Sequence, residues 1–413
     1  TPSFERTLQR TARETISAAL LHGNRDEQRR ICEIAWPLLP PANRLVFSTL
    51  GRFSGLYRAV HRGRMRLKSL ASGKRPRTCP PTKEPLPHGS VTTQEDLFDA
   101  PVVIVTKNRK AELRQAVASA VEQEGRIEVL VIDDGSTDGT AQMIREEFPS
   151  VRLERVEQSR GYIVHRNRAA HLARSPILVS IDDDAAFSTP TSVEQILTEF
   201  SHPRVGVVAV PSIDVNRPDQ PLYREGPPDQ RSIWVVDTFR GTAYAVRRIV
   251  FLDLGGYREK FFHQGEEQEF ALRMLDRGYV TRLGSTDPIH HFESPKRDRS
   301  RIFLYTARNS ILFTWYNVPM PYLLLHMPAV LANSVLLGMR FGWLRASIQG
   351  ISAGIGAVFQ ERGRRYPVTV RAYRLSRQLR KSRIMALEEM EARLCAIPPS
   401  SSCEAKSSAF GGN

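Results

Sequence analysis

The sequence predicts an α/β fold with a parallel sheet in the middle of its 413 residues. Three observations predict it. From residue 100 onward, short apolar runs alternate with amphipathic runs of helical length. The apolar runs show no polar alternation, which is typical of strands covered on both faces. Acidic residues follow several of these runs, where the strands of a parallel sheet end.

The predicted elements follow one another in a regular order. PVVIVT and IEVLVIDD are predicted strands, and KAELRQAVASAVEQ is the predicted helix between them. TDGTAQMIREEF is a helix and VRLERV a strand, YIVHRNRAAHLAR is a helix and PILVSI a strand, and VGVVAVP adds one more strand. GEEQEFALRMLDRGY is a late predicted helix. This order is typical of consecutive βαβ units.

Composition divides the chain into five segments. Residues 1–70 have helical periodicity and form a predicted basic helical extension, and residues 71–99 form a Pro-rich linker. Residues 100–318 are the predicted α/β domain, residues 319–384 an apolar and basic helical region, and residues 385–413 a partly disordered tail. The C-terminal and N-terminal extensions are therefore both expected to be helical.

The net charge of +15 is unevenly placed. Residues 1–90 carry +11 and residues 295–384 carry +14, whereas residues 91–294 carry −8. Basic segments bind either nucleic acid or anionic lipid, or are simply solvated. No recognisable nucleic-acid motif accompanies them, so no nucleic-acid partner is expected. The four cysteines have no metal-type spacing, which favours free thiols in a reducing compartment.

One long stretch lacks charge. Residues 309–339 contain no Asp, Glu, Lys or Arg, and the uncharged run ASIQGISAGIGAVFQ follows. Prolines interrupt the first run, so we predict interfacial or re-entrant helices against a membrane, anchored by flanking basic residues. A helical subdomain buried on the core and true membrane spans are the alternatives.

Three acidic clusters are candidates for chemistry. Crowded carboxylates at a strand end need a cation, and hard oxygen ligands favour Mg²⁺ or Mn²⁺, which can bridge a substrate diphosphate. An acidic turn is the alternative, since the signature of a Ca²⁺ loop is absent. The clusters are Asp133 and Asp134 in VIDDGS, Asp182, Asp183 and Asp184 in SIDDDA, and Glu266, Glu267 and Glu269 in GEEQE.

VVIVTKNR, VLVIDDGSTDGT, GYIVHRNRAA, ILVSIDDDA and GEEQEFALRMLDRGY occur in this order. The combination resembles the inverting family 2 glycosyltransferases of the GT-A fold, of the bacterial surface-polysaccharide type, over about residues 100–318. The resemblance implies a GT-A nucleotide-diphospho-sugar transferase fold, which is α/β with a Rossmann-like, mixed but mostly parallel sheet. Lys107 departs from the family pattern, which usually has an aromatic residue at that position.

The resemblance also implies a nucleotide-sugar site. Thr106 and Asp134 would contact the base, Asp183 would face the ribose, and the Arg-Asn pair of the YIVHRNRAA helix would line the pocket. The implied nucleotide-sugar-binding residues are Thr106, Asn108, Arg109, Asp133, Asp134, Arg166, Asn167, Asp183, Gly241 and Thr242.

IDDDA is similar to the family's DXD motif. The resemblance implies that Asp182, Asp184 and His291 hold Mn²⁺ or Mg²⁺. Glu267 stands where the family has its catalytic base, and Glu266 beside it should raise the apparent pKa of the pair. A Glu-rich helix start favoured by the helix dipole is the alternative interpretation of this segment.

The resemblance thus implies a metal-dependent, inverting hexosyl- or deoxyhexosyltransferase acting on a hydroxyl of a lipid-linked or glycan acceptor. The apolar and basic C-terminal region favours a cytoplasmic, peripheral location at the inner face of the cell membrane, in contact with anionic lipid. The alternatives are an inactive membrane-surface scaffold on the same fold, a nucleic-acid-binding protein, and a nucleotidyltransferase, although VTKNRKAEL lacks the expected glycine-rich loop.

Overall fold

A computed structural model describes residues 99–217, 226–293 and 298–397. The predicted N-terminal extension at 1–70, the linker up to residue 98 and the tail after residue 397 lie outside the described residues.

A nine-stranded sheet forms the centre of the described chain, in the order β12-β8-β10-β6-β9-β4-β1-β2-β3. The pairs β1–β2, β1–β4, β2–β3 and β6–β10 are parallel, and β4–β9, β6–β9, β8–β10 and β8–β12 are antiparallel. Only β8 and β9 therefore run against the other seven strands, which confirms a mixed, mostly parallel sheet. Its strands are β1 (Ala100–Thr106), β2 (Ile127–Asp133), β3 (Arg152–Arg155), β4 (Ile177–Asp182), β6 (Val205–Ala209), β8 (Trp234–Val236), β9 (Ala243–Arg247), β10 (Val280–Leu283) and β12 (Ile384–Ala386).

A small second sheet lies in the order β5-β11-β7, with β5 (Ala185–Ala186), β7 (Ser212–Asp214) and β11 (Ile289–His291). β11 pairs antiparallel with β5, so that His291 lies opposite Ala185. This pairing brings a residue from late in the chain next to the Asp182–Asp184 triplet.

Both faces of the central sheet are covered. Val102 and Ile104 of β1 contribute to one hydrophobic core, and the residue between them, Val103, contributes to the core on the opposite face. This is the two-residue alternation of a strand with apolar residues on both sides. The helices are α1 (Lys110–Val121), α2 (Thr140–Glu147), α3 (Tyr162–Leu172), α4 (Ser192–Thr198), α5 (Arg248–Asp253), α6 (Glu266–Asp276), α7 (Arg299–Asn317), α8 (Tyr322–Phe341), α9 (Leu344–Gln360), α10 (Val370–Ser382) and α11 (Leu387–Glu391).

The C-terminal region is helical, but its last part joins the sheet. Met385, Leu387 and Met390 are buried in the first of the two cores, so the start of the predicted tail is ordered. α9 packs closely on α7. Gly350 permits this close approach, since a Cβ there would collide with the carbonyl oxygen of Leu304.

α8 differs from the other long helices in its exposure. Only 11% of its most apolar 18-residue window is buried, with a mean hydropathy of 1.5, and its length and composition would suffice to cross a membrane. Leu324 is 65% exposed and Phe341 is 55% exposed. The alternative of a helical subdomain buried on the core does not describe this helix.

Candidate active site

The candidate active site lies at the carboxyl ends of three adjacent strands. In the sheet register Thr106 of β1 pairs with Asp133 of β2, and the preceding Val105 pairs with Asp182 of β4. Parallel pairing therefore collects polar residues from three separate segments at one edge, as the sequence predicts.

Arg109 and Thr106 organise the aspartate triplet. Asp183 Oδ2 accepts a hydrogen bond from Thr106 Oγ1 at 2.8 Å. Arg109 Nη1 lies 3.1 Å from Asp183 Oδ1, and Arg109 Nη2 donates to Asp184 Oδ2 at 2.9 Å. One guanidinium thus holds two neighbouring carboxylates against their mutual repulsion.

The two carboxylates have opposite pKa shifts. Burial is the main cause that raises the pKa of Asp183 to about 7, and the nearby Asp184 adds to it against the opposing charge of Arg109. Burial also disfavours the charged form of Asp184, but the hydrogen bond from His291 and the charge of Arg109 outweigh it and lower that pKa. Asp184 is therefore anionic at neutral pH.

The three predicted metal ligands converge. Asp182, Asp184 and His291 offer ligand atoms that all lie within 4.8 Å of one another. His291 is 2% exposed, its Nε2 lies 3.4 Å from Asp184 Oδ1, and its Nδ1 has no hydrogen-bond partner among the described residues. Two carboxylates and an imidazole are donors that Mn²⁺ accepts readily, and the carboxylates also suit Mg²⁺. His291 forms a similar group with Asp214 and Glu293.

Glu266 and Glu267 are the first two residues of α6, which follows Gly265 in a left-handed conformation. Glu266 is fully buried. Burial is the largest cause that raises the pKa of Glu267, to about 8, and the charge of Glu266 is the next. Burial also raises the pKa of Glu266. Glu267 can therefore gain or lose a proton near neutral pH, beside a second carboxyl whose pKa is also raised.

Arg166 connects the aspartates with the glutamates. It is buried, and its Nη2 donates to Asp182 Oδ1 at 2.7 Å and to the Gly241 carbonyl at 2.8 Å. Its Nη1 lies 3.8 Å from Glu266 Oε1 and 4.0 Å from Glu267 Oε1. A single buried cation therefore lies between the candidate metal ligands and the candidate base.

Gly241 and Thr242 occupy the wall beside this cation. A Cβ at Gly241 would lie 2.6 Å from Glu267 Oε1 and 2.8 Å from Arg166 Nη1, so a larger residue would displace both side chains. The Thr242 carbonyl accepts from the Asp182 N–H at 2.9 Å, which fixes the end of β4.

Asp134 is held by four hydrogen bonds within the protein. It accepts hydrogen bonds from Ser159 Oγ at 2.6 Å, from the N–H groups of Arg160 and Gly161 at 2.7 and 3.0 Å, and from His165 Nε2 at 2.6 Å. Four donors fill the capacity of a carboxylate. In this structure Asp134 braces the start of α3, and contact with a base stays a prediction.

Asn167 is bonded to the backbone of Tyr257. Its amide donates to the Tyr257 carbonyl at 2.9 Å and accepts from the Tyr257 N–H at 2.8 Å. It therefore anchors a turn next to Arg166, and its contact with a nucleotide stays a prediction.

Asp133 and Asn108 tie together the loops that follow β1 and β2. Asp133 Oδ1 accepts from the Ser136 N–H at 2.8 Å, and the Asn108 N–H donates to Ser136 Oγ at 2.9 Å. Asn108 adopts φ of 52°, and its Oδ1 accepts from the Thr137 N–H at 2.7 Å. Both residues shape the rim beside the aspartates.

Sequence reasoning missed the aromatic residues around Arg166. The guanidinium carbon lies 4.9 Å from the centre of the Tyr162 ring and 5.6 Å from that of Tyr244. The four-residue spacing between Tyr162 and Arg166 places them on one helical face and could have revealed this pair. No comparable local signal identifies Tyr244, or His165 as the partner of Asp134.

Comparison with known proteins gives one family match and several relatives. Residues 102–253 match the sequence model described as Glycosyl transferase family 2. Succinoglycan biosynthesis protein ExoU of Rhizobium meliloti (strain 1021) is 35% identical over 104 residues, which cover 24% of this chain and 30% of that protein. N-acetylglucosaminyl-diphospho-decaprenol L-rhamnosyltransferase of Mycobacterium tuberculosis (strain CDC 1551 / Oshkosh) is 25% identical over 271 residues, which cover 54% and 88%. The chain thus aligns with less than a third of the first relative and with most of the second.

Solved structures show weaker likenesses. The mannosyltransferase PcManGT from Pyrobaculum calidifontis, in complex with GDP-Man and Mn²⁺, has a TM-score of 0.42 at 20% identity, covering 72% of this chain and 85% of that one. TarS 1-349 from S. aureus, in complex with UDP-GlcNAc, has a TM-score of 0.46 at 16% identity, covering 62% and 82%.

Proposed function

We propose that this chain, whose residues 102–253 match the model of glycosyl transferase family 2, is a GT-A glycosyltransferase that moves a hexosyl or deoxyhexosyl group from a nucleotide-diphosphate sugar to a hydroxyl, with inversion. One observation carries the proposal. Buried Arg166 joins a group of metal-ligand type, through Asp182, to a glutamate pair with raised pKa values. This arrangement supports the proposal of a leaving-group site with a base beside it.

The donor end of the site suits a divalent ion. Asp182, Asp184 and His291 would hold Mn²⁺ or Mg²⁺. When bound, such an ion neutralises charge that develops on a leaving nucleoside diphosphate. Arg109 keeps Asp184 in place for this role, and His291 Nδ1, which has no hydrogen-bond partner within the described part of the chain, supports it.

The acceptor end of the site supplies the base. A carboxylate oxygen of Glu267 takes the proton of the acceptor hydroxyl as that oxygen bonds to the anomeric carbon. The bond from this carbon to the diphosphate oxygen breaks in the same displacement, and the nucleoside diphosphate leaves with the electron pair. A base with a pKa of about 8 is strong enough for this step near neutrality.

We further propose a lipid-linked or glycan acceptor and a peripheral position on the cytoplasmic face of the membrane. The name of the mycobacterial relative includes a diphospho-decaprenol carrier, which supports a lipid-linked acceptor. Residues 298–384 carry 14 Lys and Arg against two acidic residues. Ile348 and Phe359 of α9 are 52% and 68% exposed, beside the exposed apolar residues of α8. Apolar side chains with basic neighbours are typical of contact with anionic lipid.

A donor screen tests the enzymatic proposal. Purified protein is incubated with UDP-, GDP- and dTDP-sugars with Mn²⁺, Mg²⁺ or chelator, and donor binding and hydrolysis are measured. We expect metal-dependent binding of one donor that Asp184→Ala abolishes. Asp276→Ala is the matched control. The Asp276 carboxylate is partly exposed and accepts a hydrogen bond from Thr369, and neither residue belongs to the group of Asp182, Asp184 and His291. Failure of every donor to bind with either metal would favour the inactive scaffold.

Vesicle co-sedimentation tests the location. We expect the full chain to bind phosphatidylglycerol vesicles more strongly than phosphatidylcholine vesicles, and Leu324→Glu with Phe359→Glu to weaken that binding at low salt. Equal binding to both vesicle types, or no effect of the two substitutions, would contradict membrane contact through α8 and α9.

A further inference from the structure

The segment before the candidate base has an unusual backbone. We name residues 262–265 the base loop; it connects a short 3-10 helix, Glu259–Phe261, to α6. Phe262 has φ of 60°, Gln264 of 68° and Gly265 of 89°. Two of these residues are not glycine, and a positive φ there persists only where the surrounding structure holds it. The contacts that hold the base loop therefore bear on Glu267.

Asn309 of α7 makes the most concentrated of these contacts. Its Nδ2 lies 2.9 Å from the Phe261 carbonyl and 2.7 Å from the carbonyls of both His263 and Gln264. Asn309 is 3% exposed. A side-chain amide has two N–H bonds, so three carbonyls share them and are gathered around one nitrogen. This arrangement closes the base loop into a tight turn.

Three further hydrogen bonds stabilise the same region. Arg308 Nη1 donates to the Lys260 carbonyl and to Asn309 Oδ1, both at 2.7 Å. The Gln264 N–H donates to the Tyr162 hydroxyl at 2.9 Å. The bond from Arg308 to the Lys260 carbonyl links the 3-10 helix to α7, and the bond from Gln264 to Tyr162 links the base loop to α3.

The base loop leads directly into α6. The Gly265 carbonyl accepts from the Glu269 N–H at 3.1 Å, which closes the first turn of the helix. Glu266 and Glu267 lie in that turn, immediately after the segment that Asn309 holds. A rotation of the base loop would turn both carboxylates away from Arg166.

We propose that Asn309 is a positioning residue for glycosyl transfer: through the base loop it sets the direction of α6 and keeps the Glu267 carboxylate beside Arg166 and Gly241. The inference rests on the proposed role of Glu267 as the base. It assigns an active-site task to α7, which lies beyond the segment that matches the family.

The test compares two asparagines of α7. Asn317 is also buried, but its Nδ2 bonds the Phe313 carbonyl within the helix and does not contact the base loop. We expect Asn309→Ala to lower kcat about 10- to 100-fold, because small misplacements of a reacting group cost this much. Donor KM and metal-dependent donor binding should stay within about twofold of wild type. Asn317→Ala should keep kcat near wild type per folded molecule.

The pH profile gives a readout that does not depend on how much protein folds. A loosened base loop admits water to Glu266 and Glu267, so the acid limb of kcat should move to lower pH in Asn309→Ala and stay in place in Asn317→Ala. The other groups that face Glu267 are unchanged in both variants: Arg166, Asp182, Tyr162, Tyr244 and Tyr257. Should Asn309→Ala fail to fold, Arg308→Met removes the neighbouring tie and should produce a smaller shift in the same direction.

Equal losses of kcat in the two asparagine variants, or superimposable pH profiles, would overturn the positioning role. That result differs from a failure of the proposed function, which would appear as absence of transfer by the wild-type protein itself.

Discussion

The first turn of α6 contains three glutamates in two different electrostatic environments. The pKa of Glu269 is lowered, whereas the pKa values of Glu266 and Glu267 are raised. Glu269 is fully buried between Arg258 Nε and Arg273 Nη2, each 2.7 Å away. Burial opposes its charged form, but the two arginines outweigh burial and lower its pKa. Glu266 and Glu267 have raised pKa values, and Arg166 lies 3.8 and 4.0 Å from them. A compensated carboxylate stabilises the fold, whereas an undercompensated pair is available for proton transfer.

The largest difference between Glu267 and Glu269 should appear when the candidate base is removed. Glu267→Gln keeps the size of the side chain but cannot accept the proton, so kcat should fall by about 10²- to 10⁴-fold. Donor binding should be retained, because the metal-ligand group is untouched. Steady-state kinetics with the donor found in the screen provide the measurement. Glu269→Gln is the matched control and should keep kcat per folded molecule within a few fold; equal losses would show that the two glutamates do not differ in role.

Substitution of Glu269 tests whether this carboxylate stabilises the fold. Glu269→Gln leaves the cations of Arg258 and Arg273 without their anion in a buried site, so we expect the free energy of unfolding to fall by about 3–5 kcal/mol. Urea titration followed by circular dichroism measures it. Glu267→Gln in the same titration should not be destabilised, and a comparable fall there would contradict the assignment of the two environments.

The pH dependence of activity tests whether Glu266 raises the pKa of Glu267. Glu267 must be deprotonated to act, and burial together with Glu266 raises its pKa to about 8. Activity should therefore be lost as pH falls through this region. Glu266→Gln removes the neighbouring charge and should move the acid limb to lower pH. A pH–kcat profile of both proteins measures the shift, and an acid limb that stays in place would mean that Glu266 does not tune the base.

The smallest expected effect concerns stability. Because the folded pKa of Glu267 lies above its unfolded value, the native state binds more protons, and stability should fall as pH rises from the ordinary glutamate value towards about 8. Glu267→Gln removes this loss and should raise Tm at pH 8 by about 2–4 °C. Thermal unfolding at pH 5 and pH 8 tests it; a variant as pH-sensitive as wild type would show that other groups carry the dependence.

Local patterns in the sequence were enough to predict the strands and helices from β1 to β4, the later strand β6 and helix α6, and the positions of the acidic clusters; the other elements before α6 were not predicted. Apolar periodicity is a local property, and parallel strands necessarily bring their carboxyl ends to one edge of the sheet. The convergence of Asp182 and Asp184 at the end of β4 could therefore be predicted from short segments.

The electrostatic environment of each acidic residue depends on the tertiary structure and could not be predicted from the sequence. Glu266, Glu267 and Glu269 are equivalent in a sequence, but Arg258 reaches only Glu269, and Arg166 comes to the other two from α3. Asp134 contacts His165, and Asn309 contacts Phe261 and the base loop, 45 to 48 residues earlier in the chain; no local pattern predicts these contacts. A pKa depends on burial and on charges within a few ångströms, and packing between distant segments alone sets both.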